Sequence, residues 1–243
     1  MTPADRARRW RRIGLILVLL AAPAAFVKVF LLHPRPREVL SAVEEAYRTL
    51  PCYSDDTTVD VGTFGRRGSY RLWFARPNRL RVEFHGIADD AVMVSDGKML
   101  YTYVPGRNEY TATKAPDPLP DEFPTGQPSL TLALLNGHPI FPTGARLGYA
   151  GRRSCGGVRG AHTYSVEAPP SPGPGITGMS LTVGADQMIH CASVTVRVGD
   201  EDVTYDLIHA GISAAPPPEG AFHFEPPPGA RRVADDAGRR SGS

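Results

Sequence analysis

The sequence lacks the short motifs that identify common catalytic sites. It contains no Gly-x-Ser-x-Gly, no His-Glu-x-x-His and no glycine-rich loop between a strand and a helix. Ser95, Asp96 and Lys98 are close in sequence, but turn geometry explains Asp96-Gly97, and no nucleophile and base pair lies nearby. We therefore predict that the protein is not an enzyme.

The acidic residues do not indicate a catalytic site either. They occur as three adjacent pairs, which fall in predicted loops and are most simply solvated: Asp55-Asp56, Asp89-Asp90 and Asp235-Asp236.

Cysteine is scarce, with three residues and no Cys-x-x-Cys pair. In an oxidising compartment Cys155 and Cys191 could form a disulfide and leave Cys52 free, whereas three buried or reduced thiols are the open alternative. His190 lies beside Cys191 without the spaced partners that a metal site needs. We predict no metal and no cofactor.

An excess of positive charge is absent outside the N-terminus. The first 36 residues hold seven of the 27 basic residues and one of the 25 acidic ones, so the remainder has 20 against 24, a net charge of −4. A nucleic-acid surface needs basic charge on the folded domain, so we predict no nucleic-acid partner.

Residues 1–36 have the features of an export signal or membrane anchor. A basic stretch ends at Arg12, and an apolar run of 20 residues, 13–32, follows with small residues around Ala22 and Ala24. This run is long enough to span a bilayer, with Lys28 able to reach the interface, so a leader helix that is cleaved and one that stays as an inner-membrane anchor are both open. The positive-inside rule places the remainder outside the cytoplasm, in the periplasm.

Periodicity changes after the leader from helical to alternating. The segment 37–50 places Val39, Leu40, Val43 and Tyr47 on one face, which predicts an amphipathic helix. From residue 70 onward the period is two, which predicts strands. About seven or eight such runs are present, among them 70–74, 80–84, 101–104, 162–167, 179–183, 191–198 and 203–208.

The links between the predicted strands are short. Asp96-Gly97 predicts a two-residue hairpin turn, with Val94 opposite Met99 and Val92 opposite Tyr101, and a central strand at 101–104. The Pro-rich stretch 115–128 predicts a loop, and the apolar segment 129–137 a short helix that stops at a glycine. Short links predict an antiparallel meander, because parallel strands need crossover helices.

An antiparallel sheet of this size must bury its apolar face. It can close on itself as a sandwich or a filled barrel, or curl part way and leave a lumen capped by helices. The order of the elements favours the second. We predict an α+β, mainly antiparallel fold: a strongly curved incomplete barrel (half-barrel) with helical lids over residues 37–236, followed by a disordered tail, 237–243.

Three stretches, in order, resemble the outer-membrane lipoprotein carrier (LolA-like) superfamily and its uncharacterised periplasmic relatives. They are LWFARPNRLRVEF, MVSDGKMLYTYVP and FHFEPPPGARRVAD. The resemblance covers roughly residues 37–236. It implies a half-barrel whose hydrophobic cavity takes up acyl chains of lipoproteins or related lipids. It also implies that Arg76 hydrogen-bonds to the lid and couples its opening to cargo transfer, although Arg76 could simply cap the turn before Pro77.

The resulting hypothesis is a cell-envelope protein that binds lipid or lipoprotein acyl chains, with a carrier or chaperone in lipoprotein sorting as one form of it. The alternative is a membrane-anchored sensor or scaffold that binds an envelope protein, since one fold serves several roles. The predicted lumen and lid residues are Leu72, Phe74, Arg76, Leu80, Val82, Phe84, Val92, Val94, Tyr101, Tyr103, Leu132 and Leu135.

Overall fold

The computed structural model describes residues 35–86, 89–121, 123, 129–169 and 175–234. It has two helices, α1 (Pro36–Thr49) and α2 (Leu130–Leu135), and a 12-stranded sheet. The strands are β1 (Cys52–Val61), β2 (Arg66–Ala75), β3 (Arg79–His85), β4 (Ala91–Asp96), β5 (Met99–Val104), β6 (Glu109–Lys114), β7 (Arg146–Cys155), β8 (Val158–Glu167), β9 (Gly175–Val183), β10 (Ile189–Val198), β11 (Glu201–Ser213) and β12 (Arg231–Arg232). The predicted leader helix and the tail 237–243 lie outside the described residues.

The sheet is open and almost entirely antiparallel, as predicted. Its order is β12-β6-β5-β4-β3-β2-β1-β11-β10-β9-β8-β7, so β12 and β7 form its two edges and the sheet does not close into a barrel. The parallel pair β12 and β6 is the exception within the described residues. Because β1 pairs with β11, one ladder joins the half built from β1–β6 to the half built from β7–β11.

Both helices form where the sequence predicts them. In α1, Pro36 occupies the first turn, and the residues that pack inward, Leu40, Val43 and Tyr47, recur at helical spacing. In α2, the Ser129 hydroxyl accepts a hydrogen bond from the Leu132 amide at 3.2 Å and so caps the first turn. The two helices cover one face of the sheet, which we call the inner face.

The inner face of β2 and β3 is packed against the helices. Leu72 lies opposite Val82, and Phe74 opposite Leu80, in the antiparallel ladder. All four side chains are buried in one apolar cluster with residues of α1 and α2. The alternation read from the sequence therefore predicts the inward residues of these two strands correctly.

The opposite face, which we call the outer face, is covered over β3–β6 by the C-terminal strap, residues 214–234. The Phe224 ring stacks on the Tyr101 ring at 4.9 Å and also contacts Tyr103 and Tyr110. The Arg79 guanidinium lies over the Phe222 ring at 5.2 Å. The strap ends in β12, which pairs with β6.

Four predicted lumen residues lie on this outer face, so their assignment to the inner side is wrong. The β3–β4 register places Met93 opposite Val82 and Ala91 opposite Phe84, which turns Val92 and Val94 outward. Both faces of β4 are apolar, so its sequence does not show which face points inward, and an offset of one residue exchanges them. The residues concerned are Val92, Val94, Tyr101 and Tyr103.

The hairpin between β4 and β5 turns one residue later than predicted. Val94 lies opposite Tyr101 and Val92 opposite Tyr103, so Gly97-Lys98 rather than Asp96-Gly97 is the central pair. The Asp96 carboxylate accepts hydrogen bonds from the Lys98 and Met99 amides, each at 2.7 Å, and so caps the turn. The Met99 amide is the main cause of the lowered pKa of Asp96.

The alternation in the sequence does not predict strands β1, β6, β7 and β12. In β1, two of the inward positions are Asp55 and Thr57, so the strand lacks an apolar alternation, and Asp55 is a buried strand residue rather than a solvated loop residue. In β7, glycines and exposed arginines, such as Arg152, are typical of an edge strand. The structure joins Cys155, at the end of β7, to Cys191 in β10 by a disulfide and leaves Cys52 free.

We expect Phe224→Ala to lower the free energy of unfolding by about 1–3 kcal/mol, because the strap loses its ring contacts with three tyrosines. Urea unfolding measures the change. The matched control is Phe64→Ala, since the Phe64 side chain is 59% exposed and its removal should change the value by less than about 0.5 kcal/mol. Equal effects of the two substitutions would contradict the role given to the strap.

Candidate functional site

A cavity of about 220 Å³ lies between α2 and the inner face of the sheet. Its floor comes from five neighbouring strands, β2, β1, β11, β10 and β9, and its roof from α2 and the residues on either side of that helix. The lining is mostly apolar. It consists of Val59, Tyr70, Asp121, Phe123, Ser129, Leu130, Thr131, Ala133, Pro139, Ile140, Ile176, Met179, Val194, Val196, Tyr205, Leu207 and His209.

Strand register gives the cavity a direction. Successive inward residues of β11, namely Tyr205, Leu207 and His209, line it over about 13 Å. Ile176 is 39% exposed and lies at the Tyr205 end of the cavity. Tyr205 is paired with Val194 of β10, and Ile176 is paired with Val196, two residues further along the same strand. His209, at the other end, is 2% exposed. The cavity therefore opens near Ile176 and ends at His209.

The closed end of the cavity contains a buried polar cluster. Asp55 Oδ2 accepts hydrogen bonds from Tyr53 Oη at 3.1 Å, from Thr57 Oγ1 at 2.8 Å and from His209 Nδ1 at 2.7 Å. Among the described residues, Asp55 Oδ1 has no hydrogen-bond partner. Burial raises the pKa of neighbouring Tyr70, and the Asp55 charge adds to the rise.

This cluster does not have the arrangement of a catalytic triad. Thr57 Oγ1 and Asp55 Oδ2 both lie against Nδ1 of His209, at 2.8 and 2.7 Å. A triad requires the imidazole to bridge nucleophile and carboxylate through its two different nitrogens. The geometry is that of a ring oriented by a carboxylate, with its second nitrogen, Nε2, directed away from both partners.

Seven predicted residues on the inner side of the sheet and in α2 lie outside this cavity. Each is at most 3% exposed and packs against other protein side chains. A ring contact forms the boundary: Phe123, which lines the cavity, lies 4.4 Å from Phe84 and 5.0 Å from Tyr70, centroid to centroid. The seven residues are Leu72, Phe74, Leu80, Val82, Phe84, Leu132 and Leu135.

Arg76 joins the C-terminal ends of both helices to β2. Its Nε donates to the Leu50 carbonyl at 3.0 Å, and its Nη2 donates to the carbonyls of Tyr47 at 3.3 Å and Leu135 at 2.7 Å. These carbonyls lie at helix ends, where intrahelical donors are lacking. Burial, and then the charge of Arg48, lower the pKa of Arg76.

The two motifs of the resemblance meet beside this contact. Ser95 Oγ, from the SDGK stretch, donates to the Asn78 carbonyl of the RPN stretch at 2.7 Å. Asn78 Nδ2 in turn donates to the Gly97 carbonyl at 3.3 Å. Gly97 has a φ of 94°, and a Cβ there would lie 3.2 Å from Asn78 Oδ1, so the turn requires glycine. The motifs therefore hold the loops that position Arg76.

The part of the chain that the structure describes contains no group of three His, Cys, Asp or Glu side chains arranged to hold a metal ion. In the same residues, neither helix is long and apolar enough to cross a bilayer.

The polar end of the cavity is not predicted from the sequence. Asp55 falls in a predicted loop, and His209 stands in a run of apolar residues without a visible partner. The alternation of β1 could reveal it, because Asp55 and Thr57 lie between Tyr53 and Val59 at every second position, the spacing of residues on one face of a strand. Pairing of β1 with β11 is needed to bring His209 beside them.

Residues 38–123 match a family model described as "Predicted periplasmic protein (DUF2092)". The search of the curated proteins found no match.

Solved structures of other proteins are similar to this chain. The chain is similar to an uncharacterised conserved protein from Thermus thermophilus, with 15% identity, 82% of this chain and 98% of that chain covered, and a TM-score of 0.50. It is also similar to the MucA/MucB complex structure from Pseudomonas aeruginosa, at 14% identity, 77% and 60% coverage and a TM-score of 0.45. A LolA superfamily protein from Nitrosomonas europaea matches at 8% identity, 79% and 99% coverage and a TM-score of 0.35. Over residues 38–123 this chain is therefore similar to a family described as predicted periplasmic proteins, and the Thermus thermophilus structure shows the same fold.

Proposed function

We propose that the protein binds the acyl chain of a lipid or lipoprotein in the periplasm. The observation that carries this proposal is the apolar cavity between α2 and the inner face, with an opening near Ile176. Apolar walls with a few polar groups are typical of small-molecule sites. On this proposal the sheet is a half-barrel, and α1 and α2 are its lids.

The size of the cavity limits what it can hold. Its volume of about 220 Å³ is below the roughly 300–1,000 Å³ of ordinary ligand sites. The cavity in this form therefore accepts one short apolar chain or the end of a longer one. A larger guest requires the α2 roof to move away from the sheet.

Arg76 is the residue that we expect to control such a movement. Its three hydrogen bonds hold the ends of α1 and α2 to the strand that leads to the cavity floor. Displacing α2 would break the bond to Leu135 while the bonds to Tyr47 and Leu50 remain. Arg76 thus couples the position of the roof to that of α1, which is the role that the resemblance implies for it.

The leader determines whether the bound chain can be carried. If residues 13–32 stay in the inner membrane, the domain presents its cavity near that membrane and does not cross the periplasm freely. If the leader is cleaved, a carrier or chaperone role in lipoprotein sorting is available.

A second candidate, a scaffold for an envelope protein, is supported by the β7 edge. On its free side β7 has no partner strand among the described residues, so its backbone can add a strand from another chain.

Filling the cavity tests the binding proposal. We expect Ala133→Trp, in the roof, to weaken binding of the neutral probe N-phenyl-1-naphthylamine at least about tenfold, because the indole occupies the space the probe needs. Fluorescence titration of the delipidated full chain measures the dissociation constant.

The matched control is Ala210→Trp, since Ala210 is exposed and is paired with exposed Asp56, next to the inward pair of Thr57 and His209, which places it on the outer face. It should leave the dissociation constant unchanged. Full binding by Ala133→Trp, or no probe binding by the wild-type protein, would remove the cavity from the proposal.

The role of Arg76 gives a separate prediction. Arg76→Lys keeps the charge but cannot reach three carbonyls, so we expect a loss of about 1–3 kcal/mol in unfolding free energy and faster uptake of the probe. Urea unfolding and stopped-flow fluorescence measure the two effects. Arg66→Lys, at an exposed position, is the control. A stability loss without any change in uptake rate would mean that Arg76 only supports the fold.

A further inference from the structure

We infer that His209 makes the closed end of the cavity selective for ligands with a hydroxyl group, such as a chain alcohol. This inference rests on the proposed binding function and names the chemical class of the ligand. It follows from three observations: the orientation of the imidazole, the composition of the cavity wall and the direction of the cavity.

The hydrogen bonds of the cluster determine which nitrogen of His209 carries hydrogen. A carboxylate oxygen can only accept, so Nδ1, 2.7 Å from Asp55 Oδ2, is the nitrogen that donates. Asp55 Oδ2 accepts hydrogen bonds from Tyr53, Thr57 and His209, so the carboxylate fixes the orientation of the ring. In the neutral imidazole, hydrogen on Nδ1 leaves Nε2 as a hydrogen-bond acceptor, and Nε2 lies on the cavity side.

No protein group satisfies this acceptor in the described part of the chain. Each hydrogen bond that His209 makes there uses Nδ1. The side chain is 2% exposed yet lines the cavity, so a partner for Nε2 must arrive through the cavity. An acceptor at the inner end of apolar walls requires a guest that brings a donor.

The charges around the cavity exclude an anionic head group at this end. Lysine and arginine are absent from the described lining, which includes the carboxylate of Asp121. Asp55 lies directly behind His209 and is 3% exposed. A ligand carboxylate would add a like charge in a buried site, which is unfavourable. A neutral hydroxyl avoids this and donates to Nε2.

The register shows how such a ligand would lie. The apolar walls formed by Met179, Val194 and Leu207 separate the opening from His209. A chain that reaches His209 must therefore enter with its hydroxyl first. The remainder of the ligand follows between α2 and the sheet towards Ile176.

Three ligands of similar size test the inference by displacing N-phenyl-1-naphthylamine from the delipidated full chain. They are 1-decanol, its isomer 1-methoxynonane, which has the oxygen but no hydroxyl hydrogen, and decanoate. We expect decanol to bind about fivefold more tightly than the ether, the value of one hydrogen bond, and more tightly still than decanoate. Equal affinities for decanol and the ether in the wild-type protein would overturn the inference.

Two variants assign the selectivity to His209. Asp55→Asn/His209→Leu removes the acceptor without leaving a buried charge, and the ratio of decanol to ether affinity should fall to about one. Asp55→Asn alone keeps a carbonyl oxygen for His209 Nδ1, so it should retain the preference for decanol while binding decanoate better than the wild type does. A preference for decanol that survives in the double variant would also overturn the inference.

The selectivity ratio separates this inference from its alternatives. If His209 only supports the fold, replacing it changes the free energy of unfolding and leaves the ratio of decanol to ether affinity unchanged. If the probe fails to bind the wild-type protein, the proposed binding function falls and the inference with it. If the probe binds and Ala133→Trp blocks it while the ratio is one, the binding function stands and the inference fails.

Discussion

The hydrogen bonds of Arg76 are the constraint on which the arrangement of the molecule depends. They hold the carbonyl ends of α1 and α2 against the end of β2, and the buried residues of both helices belong to the same apolar cluster as those of β2 and β3. Helix α2 has six residues, or about 9 Å of length, and cannot also fill the space over β9–β11. The cavity is the volume that this short roof leaves.

The polar end of the cavity is the place where the fold departs from an ordinary core. A buried carboxylate with one oxygen unpaired is unfavourable for stability, and two apolar residues at Asp55 and His209 would pack there without that cost. Departures from local consistency of this kind concentrate at functional sites. The proposed binding role therefore accounts for the cluster better than the stability of the sheet does.

The sequence predicts the parts of the fold that local pattern encodes and misses those that depend on long-range pairing. Alternation in β2 and β3 identifies Leu72, Phe74 and Val82 as inward, because Arg71, Arg81 and Glu83 occupy outward positions between the apolar ones. In β4 that contrast is absent. The cavity is not predictable locally, since its floor exists only when β1 meets β11, about 150 residues away. The role of Arg76 follows from the family resemblance rather than from local pattern.

The β1–β11 ladder places the cavity across the boundary between the two halves of the sheet. It joins the half of the sheet built before α2 to the half built after it, and Thr57 and His209 are directly paired across it. The cavity floor extends to both sides of this seam. Arg76 ties the ends of both helices to β2 in the first half, and Tyr47 Oη of α1 accepts a hydrogen bond from the Ile189 amide of β10 in the second half at 3.2 Å. A guest between the second half and α2 therefore pushes against a roof whose C-terminal end is held by Arg76. Opening this roof would move Leu132 and Leu135 with α2, whereas the five buried side chains of β2 and β3 belong to the sheet and would stay in place.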